Sequence, residues 1–185
     1  MKDKIPFYNI VNMFFVGAVF SLCLVILLWG YIPFDWIQEN AELLSDWSIL
    51  ISAILLIAMY ELGFIVNRMG SIIVAPFYQK IKLWPKDKYS IDVSELAQSN
   101  PRFQSMITEL NLMRSHIMMC FILLLISLFL CKWIWGGIFV LLIAVFTLGG
   151  KKHNTKINII RKQAAERKEK EKQEAQKIKE YCSDN

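Results

Sequence analysis

The stretch that decides the fold is SILISAILLIAMYELGFIVN, residues 48–67. It contains one charged side chain, Glu61, and as a helix rising 1.5 Å per residue it covers the roughly 30 Å of a bilayer's hydrocarbon core. Three more apolar runs, at residues 10–32, 115–130 and 133–149, contain no charge at all. Because lipid does not satisfy backbone polar groups, each run is predicted to be a helix. The sequence therefore predicts an all-α fold, a four-helix transmembrane bundle with a cytoplasmic helical loop and a charged C-terminal helix.

The composition limits the class of protein. Of the 185 residues, 55% are hydrophobic and 20% are charged, which is too apolar for a soluble domain and too charged for a chain lying wholly in the membrane. The cysteines Cys23, Cys120, Cys131 and Cys182 are scattered, without a C-x-x-C pair. The sequence contains no phosphate-binding loop, nucleophile motif or metal-ligand spacing. We therefore expect a protein that is not an enzyme and that has neither a cofactor nor a metal centre.

The charges of the connecting segments predict the orientation. Residues 33–47 carry four acidic side chains and no Lys or Arg, whereas residues 68–114 carry seven Lys or Arg. Lys and Arg accumulate on the cytoplasmic side, so the second segment is predicted to be cytoplasmic and the first to lie outside. Lys2 and Lys4 place the N-terminus inside, and the basic residues after position 150 place the C-terminus inside. We expect a multi-pass protein whose first span is retained as an anchor.

Four regions follow from the spans. They are residues 1–67, the N-terminal region with the first two transmembrane helices; residues 68–112, a cytoplasmic helical loop; residues 113–150, a hairpin of the last two transmembrane helices; and residues 151–185, a cytoplasmic charged helical tail. Within the loop, Pro76 predicts a kink in an interfacial segment. Asn100 followed by Pro101 predicts a helix start that continues into the third span.

The tail has no Pro or Gly between residues 155 and 182 and carries ion pairs at helical spacing, such as Glu166 with Lys170. It is predicted to be helical. A seven-residue repeat of Ile157, Ala164, Glu171 and Ile178 is interrupted by charge. Three interpretations stay open: a solvated charged helix, a basic arm on anionic lipid or a nucleotide-bearing partner, and a coiled coil.

Glu61 is the main candidate functional residue. A charged carboxylate at this depth costs about 2.5–3.5 kcal/mol against lipid, so we expect it to face protein, water or a counter-charge. One hypothesis is a structural pair with Arg68 or Arg114. The other is a ring of Glu61 side chains around an oligomer axis, lining a cation pathway together with Asn67 and Arg68. Four such helices do not enclose a wide conduit alone, so a pore requires a homo-oligomer, for which a tetramer is predicted.

A second group of candidates is basic. Lys80, Lys82, Lys86, Lys88 and Arg114 lie outside the bilayer or at the inner end of a span. There they can meet a cytoplasmic partner protein, an anionic nucleotide or a nucleic acid. Membrane lipid is the remaining expected partner.

Residues 63–76 carry the pattern Gly-x-x-x-Asn-Arg-x-Gly-Ser-x-x-x-x-Pro, from Gly63 to Pro76. In a four-span chain with both termini inside and a charged tail, this pattern resembles the small membrane proteins encoded in bacterial antiphage defence operons, such as the membrane subunit of Kiwa or the channel effector of Hailong. The resemblance implies an oligomeric component of the bacterial inner membrane, acting as an ion channel or membrane-disrupting effector under a cytoplasmic partner or nucleotide-type signal. The alternative function is a membrane anchor or scaffold that recruits a cytoplasmic effector, including a nucleic-acid-binding one.

Overall fold

The computed structural model describes residues 7–84, 96 and 100–183, and every element in these residues is a helix or helical turn. In chain order the elements are α1 (Phe7–Leu28), a 3-10 turn (Trp29–Tyr31), α2 (Phe34–Glu39), α3 (Ala41–Asp46), α4 (Ser48–Met69), a π turn (Gly70–Val74), α5 (Ala75–Lys80), α6 (Pro101–Phe129) and α7 (Trp133–Ser183). Four helical stretches are long and apolar enough to cross a membrane: Ile10–Tyr31, Ser48–Lys80, Arg102–Phe129 and Trp133–Gln176. The all-helical fold and its four apolar helices are thus confirmed.

Helices α1 and α4 meet at two glycines with their backbones in contact. A Cβ added to Gly17 would lie 2.7 Å from the carbonyl carbon of Met59, and one added to Gly63 would lie 2.7 Å from the carbonyl carbon of Met13. The contact is reciprocal, because each glycine faces the residue four positions before the other glycine. Apolar helices surrounded by lipid associate through such close packing rather than through the hydrophobic effect, and small residues permit it.

Helix α6 is central, since it contacts α1, α4, the π turn and α7. Its residues 115–120 are all buried, as expected for a helix surrounded by neighbours on every side. Just after the C-terminal end of α6, the Lys132 ammonium in the turn between α6 and α7 donates a hydrogen bond to the carbonyl oxygen of Leu27, in the last turn of α1. The negative end of the α1 helix dipole stabilises a cation in this position.

The predicted start of the third long helix is confirmed. The Asn100 side-chain oxygen accepts hydrogen bonds from the backbone N–H groups of Arg102 at 3.1 Å and Phe103 at 3.3 Å. Pro101 occupies the first turn, where a missing N–H costs nothing. These local features fix where α6 begins.

Pro76 does not end a helix, because the chain stays helical from Ser48 to Lys80. A proline ring inside an α-helix would clash with the carbonyl four residues earlier, here that of Ile72. The π turn Gly70–Val74 contains that carbonyl and lies directly before α5. In a π turn each backbone hydrogen bond spans five residues instead of four. The carbonyl groups of this turn are therefore displaced from their α-helical positions, which leaves space for the proline ring.

The predicted helical tail is confirmed over its described residues, and it is continuous with the fourth apolar helix. Helix α7 has 51 residues, which gives a length of about 77 Å. It passes through position 150 without a break. Between residues 162 and 176 the side chains are exposed except for the half-buried Ala164 and Ala165. The tail therefore projects beyond the packed helices as a single helix.

Candidate functional site

Glu61 lies on the side of α4 that faces away from the rest of the chain. Gly63, two residues later, is buried against α1, and a step of two residues turns a helix by about 200°. The exposed residue Ala58 precedes Glu61 by three residues, and the exposed residues Ile65 and Arg68 follow it by four and seven. We call this strip, Ala58, Glu61, Ile65 and Arg68, the outward face of α4.

Glu61 has no hydrogen-bond or ion-pair partner among the described residues. Arg68 lies two turns away, about 10 Å along the helix, with its guanidinium carbon 5.0 Å from the centre of the Phe64 ring. The guanidinium carbon of Arg114 lies 5.5 Å from the ring centre of Trp84. Within the described residues of one chain, Glu61 therefore forms no ion pair with Arg68 or Arg114.

The interior between the long helices is apolar at the level away from the basic segments. Phe20, Leu27, Leu123 and Phe139 are each at most 7% exposed there. Ions do not cross such packing, which leaves no space for a hydration shell. A conducting path through the middle of one chain is therefore ruled out for the described residues, and a path along Glu61 would have to lie between copies.

A polar cavity of about 70 Å³ lies between α1, α4 and α6. Its polar lining consists of Asn12, Asn67, Thr108, Asn111 and Ser115. The Ser115 hydroxyl lies 2.7 Å from the Asn67 side-chain oxygen, to which it donates. Since a water molecule needs about 10–15 Å³ of such space and two to four polar partners, the cavity has room for several waters. The sequence offered Asn67 as a candidate, but the other four polar residues belong to the site only through folding.

The cavity separates two residues that the sequence grouped together. Asn67 and Glu61 are six residues apart, so they point about 120° away from each other around α4. Asn67 faces α6 through Ser115, whereas Glu61 faces outward with Arg68. The structure thus joins Glu61 to Arg68 on one face and places Asn67 in a different site.

A second cluster fixes the chain after α5 to the long helices. Trp84 is 1% exposed, stacks on Tyr78 with ring centres 5.0 Å apart, and donates its indole N–H to the carbonyl oxygen of Thr147 at 3.4 Å. The hydroxyl groups of Tyr78 and Thr147 are 2.9 Å apart. Gly150 lies directly against the indole, where a Cβ would be 3.1 Å from a ring carbon. No local signal in the sequence predicts these partners of Trp84.

The basic residues predicted to contact a partner differ in their exposure and placement. Lys80 and Lys82 are exposed. Arg114 is half-buried beside Trp84 and donates from a terminal nitrogen to the Asn111 side-chain oxygen at 3.4 Å, so it takes part in packing. Lys86 and Lys88, like Lys2 and Lys4 at the N-terminus, lie outside the described residues.

The described residues contain no group of three or more His, Cys, Asp or Glu side chains arranged to hold a metal ion. Among the described residues, one histidine lies beside one carboxylate: a His153 ring nitrogen is 3.2 Å from a Glu109 carboxylate oxygen. This contact joins α6 to α7 beyond the apolar spans.

Comparison of the chain with protein-family models, with curated proteins and with solved structures finds no match. Function is therefore inferred from the chain's own residues. The arrangement offers three elements. They are an outward-facing carboxylate within an apolar helix, a small polar cavity with room for water, and exposed cations at one end of the helices. That end carries Arg68, Lys80 and Lys151 and is called the basic end.

Proposed function

We propose that the chain is an oligomeric, membrane-embedded component of a bacterial antiphage defence system, acting as an ion channel or membrane-disrupting effector rather than as an enzyme. Under this proposal the four long helices form a transmembrane bundle in the inner membrane, with the basic end and both termini in the cytoplasm. The defence role is supported by the resemblance of residues 63–76 and by the four-helix layout with its charged tail.

The observation that carries the proposal is the unpartnered, outward position of Glu61. A carboxylate facing lipid at that depth costs about 2.5–3.5 kcal/mol, whereas one facing water or a polar group between copies avoids this cost. Apposing the outward faces of α4 around an axis, in a predicted tetramer, would bring the carboxylates together along a shared wet path. A ring of carboxylates raises the local concentration of cations and favours their passage.

The same face also offers a means of control. Arg68 lies about 10 Å from Glu61 toward the basic end, so an oligomer would place a ring of positive charge in series with the carboxylates. Such a ring lowers the entry of cations to a basal rate, and an anionic ligand or partner that neutralises it raises the rate. Lys80, Lys82, Lys86 and Lys88 are the proposed docking charges for that trigger, which is a cytoplasmic protein, a nucleotide or a nucleic acid.

The test is cation flux through liposomes that contain purified protein, with native mass measured in parallel. Glu61→Gln keeps the shape and removes the charge, and we expect assembled protein with at least about a tenfold loss of flux. Glu42→Gln is the matched control, because it removes an exposed carboxylate from α3, outside the apolar helices. Equal flux in both variants would contradict the channel. Loss of assembly in Glu61→Gln would instead indicate that Glu61 is half of an ion pair between copies.

A scaffold is the second candidate, and the projecting end of α7 favours it. Residues 162–176 are exposed and charged, which suits a docking arm for a cytoplasmic effector. Removal of residues 162–185 separates the two functions. A channel keeps its basal flux without this arm, whereas a scaffold keeps its membrane assembly but no longer retains a co-expressed operon partner.

A further inference from the structure

An apolar groove of about 220 Å³ opens on the surface of the helices. The π turn and α5 form one wall, α7 forms the other, and α6 lies between them. Its floor contains Ile117 and Met118, which are 3% and 5% exposed. Its rim contains Phe77 and Phe121, which are 57% and 46% exposed. The groove is therefore a preformed concave surface with aromatic edges, lying beside the apolar part of α6.

Positive charge stands at the basic end of both walls. On α5, Lys80 follows Phe77 by three residues, which makes the two side chains neighbours on the helix surface. On α7, the groove residue Ile143 is followed at four-residue steps by Thr147 and Lys151, along one side of that helix. The hydroxyl groups of Thr147 and Tyr78 are 2.9 Å apart, so the two walls meet two residues before Lys80 on one side and four residues before Lys151 on the other.

This combination of an apolar slot and flanking cations matches one kind of occupant. A lipid tail gains little from leaving other tails, since these are as apolar as the groove, so selectivity has to come from the headgroup. Basic pockets between membrane helices on the cytoplasmic side recognise anionic phospholipids, at about one kcal/mol, or fivefold in affinity, for each Lys or Arg near the surface. A second copy packed groove to groove would bring its own Lys80 and Lys151 close to the same like charges.

We propose that the groove binds one acyl chain of an anionic phospholipid from the leaflet at the basic end, with the phosphate between Lys80 and Lys151. The site depends on insertion of the four helices in a membrane. It is independent of Glu61 and of the number of copies. Bound lipid would fix α5 against α6 and α7, next to the Trp84 cluster.

The experiment is a lipid titration of the delipidated full-length protein in mild detergent, followed by native mass spectrometry. Phosphatidylglycerol should bind about twenty-five-fold more tightly than phosphatidylcholine with the same acyl chains, because two charges contribute about fivefold each. Lys80→Gln and Lys151→Gln should each lose about fivefold for phosphatidylglycerol and nothing for phosphatidylcholine. Lys152→Gln is the control, because Lys152 is an exposed neighbour that points about 180° away from Ile143 around α7.

The apolar part of the site is tested by a second pair of variants on α6. Phe121→Ala removes a rim residue and should weaken both lipids several-fold, whereas Phe129→Ala removes a side chain that is 87% exposed outside the groove and should change neither. Glycerophosphoglycerol, the headgroup without acyl chains, should not compete. Equal affinity for the two lipids, equal effects of the three lysine variants, or competition by the bare headgroup would overturn the proposal. Oligomers that carry no phospholipid at any titration point would show that a second copy covers the groove, and would also overturn it.

Discussion

The contact between Gly17 and Gly63 allows a sharp test of how α1 and α4 pack. In Gly63→Ala the new Cβ would lie 2.7 Å from the carbonyl carbon of Met13 and 2.9 Å from the backbone nitrogen of Gly17, and the carbonyl oxygen of Met13 is nearer still. Contacts below about 3 Å do not occur between carbon and such atoms, so something must move. Here both partners are backbone, which no rotamer change relieves, and the helices have to separate.

The loss of stability in Gly63→Ala can be estimated from the known cost of adding methyl groups to packed cores. Extra methyl groups in a well-packed core cost about 1–3 kcal/mol, and a clash with rigid backbone on both sides belongs at the upper end, about 3 kcal/mol. The general gain from replacing a helical glycine by alanine, roughly 0.5–1 kcal/mol, opposes only part of this. We therefore expect Gly63→Ala to lower the free energy of unfolding by about 2 kcal/mol or more.

The assay is unfolding in mixed micelles with increasing denaturing detergent, followed by circular dichroism. Gly137→Ala on α7 is the matched control, because a Cβ there meets nothing within 4 Å. It should be neutral or slightly stabilising. If Gly63→Ala is as stable as Gly137→Ala, α1 and α4 do not pack as described, and the placement of Glu61 on the opposite side of α4 loses its support.

Two further predictions concern the loop and the orientation. Trp84→Ala should lower the free energy of unfolding by about 3–5 kcal/mol, because it leaves a cavity at a buried site. Trp133→Ala is the control, since it removes a side chain that is 70% exposed and should change the free energy of unfolding by less than about 0.5 kcal/mol. Equal effects of the two variants would refute the packing of Trp84 against Tyr78 and Thr147. In intact cells of a variant lacking the exposed Cys131, an impermeant thiol reagent should label Asn40→Cys and leave Lys86→Cys unlabelled, and the reverse pattern would refute the proposed topology.

Sequence reasoning succeeded where the deciding physics is local. The four apolar helices follow from length and composition, and the start of α6 follows from the cap at Asn100 with Pro101 beside it. The helical tail follows from its freedom from Pro and Gly and its paired charges. Each of these features depends on residues within a few positions of one another.

The remaining features depend on contacts between distant residues. The burial of Trp84 requires Thr147 and Gly150, more than sixty positions away. The polar cavity requires that α6 bring Asn111 and Ser115 to Asn67. Continuation of the helix past Pro76 depends on the π turn that precedes it, and a proline alone predicts only disruption. The sequence supplied Glu61 as a candidate, but only the position of Gly63 against α1 shows that it faces away from its own chain.

Apposition of the outward faces of α4 between copies is the central claim, and disulfide cross-linking in native membranes tests it most directly. Cys131 and Cys182 are first replaced by serine, and one cysteine is then introduced at Ala58, which is small, exposed and three residues from Glu61. Leu141→Cys, at a site 63% exposed on α7, serves as the control for random collision. We predict that mild oxidation converts Ala58→Cys, but not Leu141→Cys, to a covalent dimer. Absence of the Ala58 cross-link, or equal cross-linking at both positions, would contradict the account.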